Sequence, residues 1–183
     1  DSGDKGSGSF SVTVSNQTPT VTASVVDPDS LLEGTIVRLS PSLFNDLGTA
    51  DTHTATINWG DGTDTEEDAA LFERPFGPTG SSAGANGSVS GTHVYANNGD
   101  YDLTVCVLDD DGANGCNTVT VTLSVGNVAP VLFVGRDKIV REGEPVTISL
   151  TTFVDAGSLD THTATIDWGD TTATPGIVTE DPF

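Results

Sequence analysis

Basic residues are scarce in this chain: six Lys and Arg stand against 27 Asp and Glu, a formal net charge of −21 over 183 residues. A surface of that sign repels nucleic acid and anionic membranes, so neither is expected as a partner. It attracts cations instead, and hard cations such as Ca²⁺ take oxygen ligands. Long apolar runs are missing too. None approaches the roughly 20 residues of a membrane-spanning helix, so no membrane insertion of this segment is expected. Methionine is absent altogether, which points to a processed chain or a piece of a longer one. There are two cysteines, too few for a Cys-rich zinc site but enough for one disulfide. The hydrophobic fraction is only 35%. It is carried largely by Val, Ile and Leu in alternating runs, so disorder is not the expectation.

What the chain does have is a repeat. Asp51-Thr-His-Thr-Ala-Thr-Ile-Asn-Trp-Gly-Asp61 recurs as Asp160-Thr-His-Thr-Ala-Thr-Ile-Asp-Trp-Gly-Asp170, ten identities in eleven positions at an offset of 109. The same offset pairs Glu33-Gly34 with Glu142-Gly143, Phe44 with Phe153, Asp46 with Asp155 and Gly48 with Gly157. Phe10-Ser-Val-Thr-Val-Ser-Asn16, followed by Pro19, matches Val121-Thr-Leu-Ser-Val-Gly-Asn127, followed by Pro130. About a hundred residues is the size of one sandwich domain. Residues 1–15 therefore read as the last strand of a preceding module, 16–126 as a complete module, and 127–183 as the N-terminal half of a further one. Such ends fit a fragment of a long array. They also fit strand exchange between neighbouring chains, which would build a fibre.

The periodicity is that of strands. Tyr101, Leu103, Val105 and Val107 share one face, and Asp102, Thr104 and Cys106 the other. Ala55, Ile57 and Trp59 alternate with Thr54, Thr56 and Asn58. One apolar face and one Thr-rich face mark antiparallel strands packed on one side. Turn signals at Asp27-Pro28, Gly60-Asp61-Gly62, Asn97–Asp100 and Asp110-Asp111-Gly112 separate them. The spacing predicts seven strands, at 20–26, 35–40, 52–59, 63–72, 88–95, 101–108 and 117–125, in an all-β, two-sheet antiparallel sandwich. The Gly/Ser/Pro-rich stretch 77–87 reads as an exposed, mobile loop.

Trp59-Gly-Asp-Gly62, His93-Val-Tyr95, Gly99-Asp-Tyr-Asp-Leu-Thr-Val105 and Asp109-Asp-Asp-Gly112 together resemble the pattern of PKD (polycystic kidney disease) domains. The resemblance covers residues 19–125 fully and 127–183 in part. The chain departs from the pattern at Trp59-Gly60, where an aromatic often intervenes, and at Asp170-Thr171, where the turn has no Gly. The resemblance implies a tandem array of immunoglobulin-like sandwiches outside the cell. It also implies relatives that act as spacers and adhesion modules of surface proteins, or as accessory modules of secreted hydrolases. Some such relatives bind Ca²⁺ at acidic loops.

Several residues are candidates for chemistry. Trp59 and Trp168 fall on the inward face of their strand and read as core. His53, His93 and His162 are isolated, with no metal-ligand spacing around them, and read as hydrogen-bonding groups of loops or strand edges. There is no Gly-x-Ser-x-Gly elbow, no His-Glu-x-x-His and no phosphate loop, so no enzyme is expected. In a sandwich the loops after strands two and six share a pole with the N-terminal linker. They bring Asp46, Asp51, Asp109, Asp110 and Asp111 beside Asn16. Oxygens converging from three segments suit Ca²⁺, with Asn16, Asp46, Asp51, Asp109 and Asp111 as the ligand set. The same residues equally suit solvated turns whose carboxylates cap backbone amides. Asp27, Asp29, Asp61 and Asp100 lie at the opposite pole, facing the next module, where a bridging cation is an alternative. A hairpin folded about Asp111 places Cys106 opposite Cys116 and predicts a disulfide, though a bulge at Gly112 would move the register by one residue. Asn86-Gly87-Ser88 is a glycosylation sequon in the expected loop.

These features predict a non-catalytic spacer, stalk or adhesion module of a repetitive extracellular or cell-surface protein. Its partners are neighbouring repeats of the same or identical chains, with a surface protein or polysaccharide as a further partner. The alternative is an accessory polysaccharide- or protein-binding module of a secreted hydrolase. Phe72, Phe76 and Tyr95 are the aromatics available for its binding row.

Overall fold

The computed structural model describes residues 3, 5–22, 31–67, 69–75, 78–112, 116–148 and 151–180, and among them it contains strands and no helix. Among the described residues the first unit holds nine strands: β1 (Thr20–Val21), β2 (Ile36–Arg38), β3 (Ser42–Asp46), β4 (His53–Asn58), β5 (Ala70–Pro75), β6 (Ala85–Ser90), β7 (Thr92–Val94), β8 (Gly99–Asp109) and β9 (Asn117–Val125). One antiparallel sheet has the order β1-β3-β6-β5, a second runs β4-β8-β9, and β2 pairs with β7.

The period-two pattern explains what lies between them. Leu103, Val105 and Val107 of β8, Ala55 and Ile57 of β4, and Leu123 and Val125 of β9 point inward. There they meet Phe44 of β3, Val89 of β6, Val37 of β2, and Trp59 and Tyr95 from the strand ends. The Thr side chains of β4 and β9 face outward; Thr104 of β8 and Thr120 of β9 meet across the β8–β9 pair with oxygens 3.1 Å apart. Gly60 follows the buried Trp59 at φ 81°, and a Cβ there would come within 2.7 Å of the Asp102 carbonyl oxygen. Only glycine fits that combination of backbone and space.

Four expectations change. β3 was expected to be part of the loop after strand two. Its inward positions are Ser42, Phe44 and Asp46, while Leu43 faces out, so the polar pattern hides a strand. Of the expected strand 63–72, residues 63–67 are not a regular strand and are tied to β4 by an isolated Ile57–Glu66 bridge, and 70–72 belong to β5. The stretch read as a mobile loop ends in β6, so Asn86 lies in a strand flanked by β3 and β5. Residues 10–15 take no strand pairing among the described residues, and Phe10, Val12 and Val14 are exposed. Asp27, Asp29, Phe76 and Pro182-Phe183 lie outside the described residues.

In the second unit two antiparallel pairs form: β10 (Val131–Phe133) with β11 (Thr152–Val154), and β12 (Ala164–Asp167) with β13 (Ala173–Gly176). Its apolar side chains are mostly open, including Leu132, Phe133 and Ile177. Trp168, the counterpart of buried Trp59, is 37% exposed and donates its Nε1–H to Thr174 Oγ1 at 3.0 Å.

Candidate cation sites at two acidic poles

The first pole is where β8 ends. Asp109 is the last inward position of that strand and is 4% exposed. Its carboxylate closes the turn. Its Oδ1 accepts the Gly112 N–H at 2.8 Å and its Oδ2 accepts Asn16 Nδ2 at 2.8 Å. The Asn16 hydrogen bond, with the backbone N–H groups, outweighs burial and holds the Asp109 carboxyl below the ordinary carboxylate value. Asp110 ties the neighbouring loop, accepting the Thr52 N–H at 3.0 Å. A cavity of about 300 Å³ opens beside this turn, and its lining includes Asn16, Gln17, Gly48, Asp51 and Asp111. Asp51 is pushed up by burial, and then by the charges of Asp46, Asp111, Asp110 and Asp109.

Of the five expected ligands, Asn16, Asp51 and Asp111 therefore share one cavity, and Asp109 stands behind Asn16. Asp46 points elsewhere. It is 1% exposed, its Oδ1 accepts the Gly48 N–H at 2.7 Å, and its Oδ2 lies 3.1 Å from His53 Nε2.

That histidine sits on an edge strand and hydrogen-bonds there, as expected of it. His53 opens β4, its side chain is buried, and its two ring nitrogens meet Asp46 and Glu73. The second unit repeats the arrangement: His162 Nε2 is 2.8 Å from Asp155 and Nδ1 is 2.9 Å from Glu180, and these two carboxylates raise its pKa. Phe44 and Phe153 lie tilted against the two rings, with centroids 4.9 and 4.5 Å away. His53 thus ties β4 to β3 and β5 by a carboxylate on either side, and His162 makes the same pair of contacts from just before β12. His93 instead stacks on Trp59 at 5.0 Å and reaches Asp61 Oδ2 at 2.7 Å.

The second pole is the junction between the units. Glu33, Asp155 and Asp160 bring carboxylate oxygens within 4.8 Å of one another. At the offset of 109, Asp155 and Asp160 are the counterparts of Asp46 and Asp51. Glu33 comes from the end of the first unit, where its N–H bonds to Gly126 and the adjacent Gly34 N–H bonds to Tyr95. Burial raises the pKa of Asp160, and the charges of Glu33 and Asp155 raise it further. Glu33 escaped the sequence reading as a site residue. Its signal was the recurrence of Glu-Gly at 33 and 142.

Cys106 and Cys116 are joined by a disulfide with Cα atoms 5.7 Å apart. The register differs from a fold about Asp111, because Cys106 is paired with Thr118. The partner of Cys106 is thus shifted by two residues, and Gly112 has φ 54°. Cys116 lies just beyond the Val107–Asn117 pair that ends the ladder, free to reach Cys106 diagonally. The sequon Asn86 lies in β6 and is half-buried, with its Oδ1 accepting Asn45 Nδ2 at 2.9 Å. Of the aromatics available for a binding row, Tyr95 is fully buried and Phe72 stands exposed under Arg74. At the pole that faces the next module, Asp61 serves His93, and Asp100 accepts from Ser124 Oγ.

No helix among the described residues is long and apolar enough to cross a membrane. No family model matches the chain, and no curated protein does. Two solved structures are similar to it, each over 61% of this chain. The PKD1 domain of Vibrio anguillarum Epp is 19% identical, is covered over 96% of its length and has a TM-score of 0.38. The PKD domain of an M14-like peptidase from a Thermoplasmatales archaeon is 20% identical, is covered over 98% and has a TM-score of 0.41.

Proposed function

We propose that the chain is a non-catalytic spacer or adhesion segment of a repetitive extracellular protein, with residues 16–126 as one module and 127–183 as part of the next. The observation that carries this reading is the docking of one repeat unit on the end of the other. The Leu159 N–H bonds to the Ala96 carbonyl at 3.1 Å, and the Val128 N–H bonds to Glu33 Oε1 at 2.5 Å. Repeats that meet through specific hydrogen bonds can be stacked in series, and sandwiches in series make long stalks. The disulfide supports an oxidising compartment. The charge of −21 keeps such an array soluble.

Its partners in this reading are neighbouring repeats of the same or identical chains. The open apolar side chains of the second unit, Leu132 and Phe133 among them, suit such a partner. The reading includes Ca²⁺ at the first pole, held around the cavity by Asn16, Asp51 and Asp111. Asp109 supports that site through Asn16.

Retention on insoluble polysaccharides separates the spacer from an accessory binding module. The chain is expected to pass through columns of cellulose, chitin and peptidoglycan at physiological salt. Retention on any of them, competed by the soluble sugar, would replace the spacer by the accessory-module reading.

A further inference from the structure

We propose that Glu33, Asp155 and Asp160 form a divalent-cation site of the Ca²⁺ class that locks one repeat unit to the next. This goes beyond the spacer reading, since an array needs no metal at its joints, and the two can fail separately.

Two independent observations converge on the site. First, three carboxylates from two repeat units offer oxygens within 4.8 Å of one another. Ca²⁺ binds oxygens at about 2.3–2.6 Å, so two ligands on opposite sides of one ion stand about 4.8 Å apart. Second, Glu33 is fully buried and its carboxylate is half used. Oε1 accepts the Val128 N–H, while Oε2 has no hydrogen-bond partner among the described residues. A buried carboxylate oxygen without a donor is costly. No Lys or Arg is within salt-bridge distance of any of the three carboxylates among the described residues. A cation would supply the missing partner and neutralise three mutually repelling charges.

The surroundings are shaped for this. Gly157 leaves the space between the carboxylates: a Cβ there would lie 2.8 Å from Glu33 Cδ and 2.7 Å from Asp160 Oδ2. Gly34, at φ 68°, lets the Ala156 backbone approach, since a Cβ on it would come within 2.5 Å of the Ala156 oxygen. Asp155 is already aimed, its Oδ1 held by the Gly157 N–H at 3.0 Å and its Oδ2 by His162 at 2.8 Å. Each carboxylate oxygen keeps a further lone pair for a metal. The donor set is all oxygen and carries three negative charges, which suits Ca²⁺.

The repeat gives the site its logic. Asp155 and Asp160 occupy the positions that Asp46 and Asp51 hold in the first unit, and Glu33 is added from the unit before. The acidic pole of one unit is thus completed by a glutamate at the far end of its predecessor. The Glu142 counterpart of Glu33 would do the same for the unit that follows.

Calorimetric titration of the metal-free chain with CaCl₂ tests this, beside Glu33→Gln, Asp160→Asn and, as a control at the other pole, Asp51→Asn. Glu33→Gln keeps the acceptor for the Val128 N–H and removes the charge. Binding at the junction is expected to weaken at least about tenfold in Glu33→Gln and in Asp160→Asn and to be retained in Asp51→Asn, because Ca²⁺ affinity follows ligand charge. Asp160 is only partly buried, so its variant folds even where the buried Glu33 change does not. Scattering at matched ionic strength should show Ca²⁺ narrowing the distance distribution between the units of the parent chain and leaving that of Asp160→Asn unchanged. Isotherms of Asp160→Asn and the parent that superimpose would overturn the site. Binding without any change in the distance distribution would overturn the lock.

Discussion

Tyr95 donates its hydroxyl to the Trp59 carbonyl oxygen at 2.9 Å, from a side chain with no exposed surface. Burial pushes the Tyr95 pKa up, so the donor stays protonated at any ordinary pH. The Tyr95 ring stacks on Tyr101 at 4.4 Å and meets His93 edge-on at 4.8 Å. The Trp-Gly-Asp-Gly turn is therefore anchored from below by one phenol.

Tyr95→Phe removes that donor and leaves a carbonyl buried without a partner. The change is expected to lower stability by about 1–3 kcal/mol, the cost of an unsatisfied buried polar group. Urea unfolding followed by tryptophan fluorescence measures it. A midpoint equal to that of the parent would show that water reaches the Trp59 carbonyl.

The disulfide stabilises chiefly by restricting the unfolded chain, and its loop is short, with a sequence separation of 10 between the partners. The paired Cys106→Ser, Cys116→Ser variant should lose at most about 3 kcal/mol. The loss should fall on the β8–β9 end near Asp109. Two alkylatable thiols in carefully handled, unreduced parent protein would contradict the bond.

Much of this fold could be read from the sequence because β4, β8 and β9 alternate cleanly, Val and Ile inside and Thr outside. β3 could not, because Ser42 and Asp46 point inward while Leu43 faces solvent. Period-two reasoning assumes that polar means outside, and the Asp46–His53–Glu73 network breaks that rule by satisfying buried polar groups with one another. The acidic pole was foreseen as a cluster, yet the side-chain directions within it were not. The junction site depended on a contact between units that no single repeat reveals.

Thr171 has φ 76°, a left-handed backbone for a β-branched residue, at the place where the first unit has Gly62 at φ 84°. Such a residue is strained by about 1–3 kcal/mol. Glycine costs about 0.4–1 kcal/mol in unfolded-state entropy, so relief of strain wins. Thr171→Gly should stabilise the β12–β13 hairpin. Slower amide exchange at Trp168, whose N–H bonds to Thr172 across this turn, would report it. Unchanged or faster exchange would count against the strain.

Stability should depend on pH in two opposite limbs. Burial pushes Asp61 up, but hydrogen bonds from Thr63 and His93 overcome it and leave the pKa below its ordinary value. Asp109 is depressed through Asn16. A depressed carboxylate binds protons less readily when folded, so its contribution is complete above the unfolded value of about 3.9 and is lost as pH falls through the folded one. Asp51 and Asp160 are raised, so their contribution runs the other way. Protonating them relieves repulsion as pH falls through their folded values toward about 3.9. Melting temperatures without metal should therefore rise slightly on mild acidification and then collapse below about pH 4. Asp61→Asn should flatten the acid limb. An acid limb as steep as that of the parent would mean that Asp61 is not among its causes.

Asp51→Asn separates repulsion from metal binding at the first pole. The Asp51 carboxylate is disfavoured by burial and by four neighbouring aspartates, so neutralising it should raise the melting temperature in EDTA. Were the pole only a solvated acidic turn, Ca²⁺ would add nothing to either protein beyond general screening. If Asn16, Asp51 and Asp111 hold a Ca²⁺ ion, the parent gains RT ln(1 + [Ca²⁺]/Kd), about 2.7 kcal/mol at a hundredfold excess over Kd. The variant should gain less, because a ligand charge is gone while the junction site is intact. The expected pattern is a crossing: the variant is more stable in EDTA, and the parent gains more from Ca²⁺. Parallel increments in the two proteins would remove Asp51 from the ligand set and leave the junction as the source of any Ca²⁺ effect.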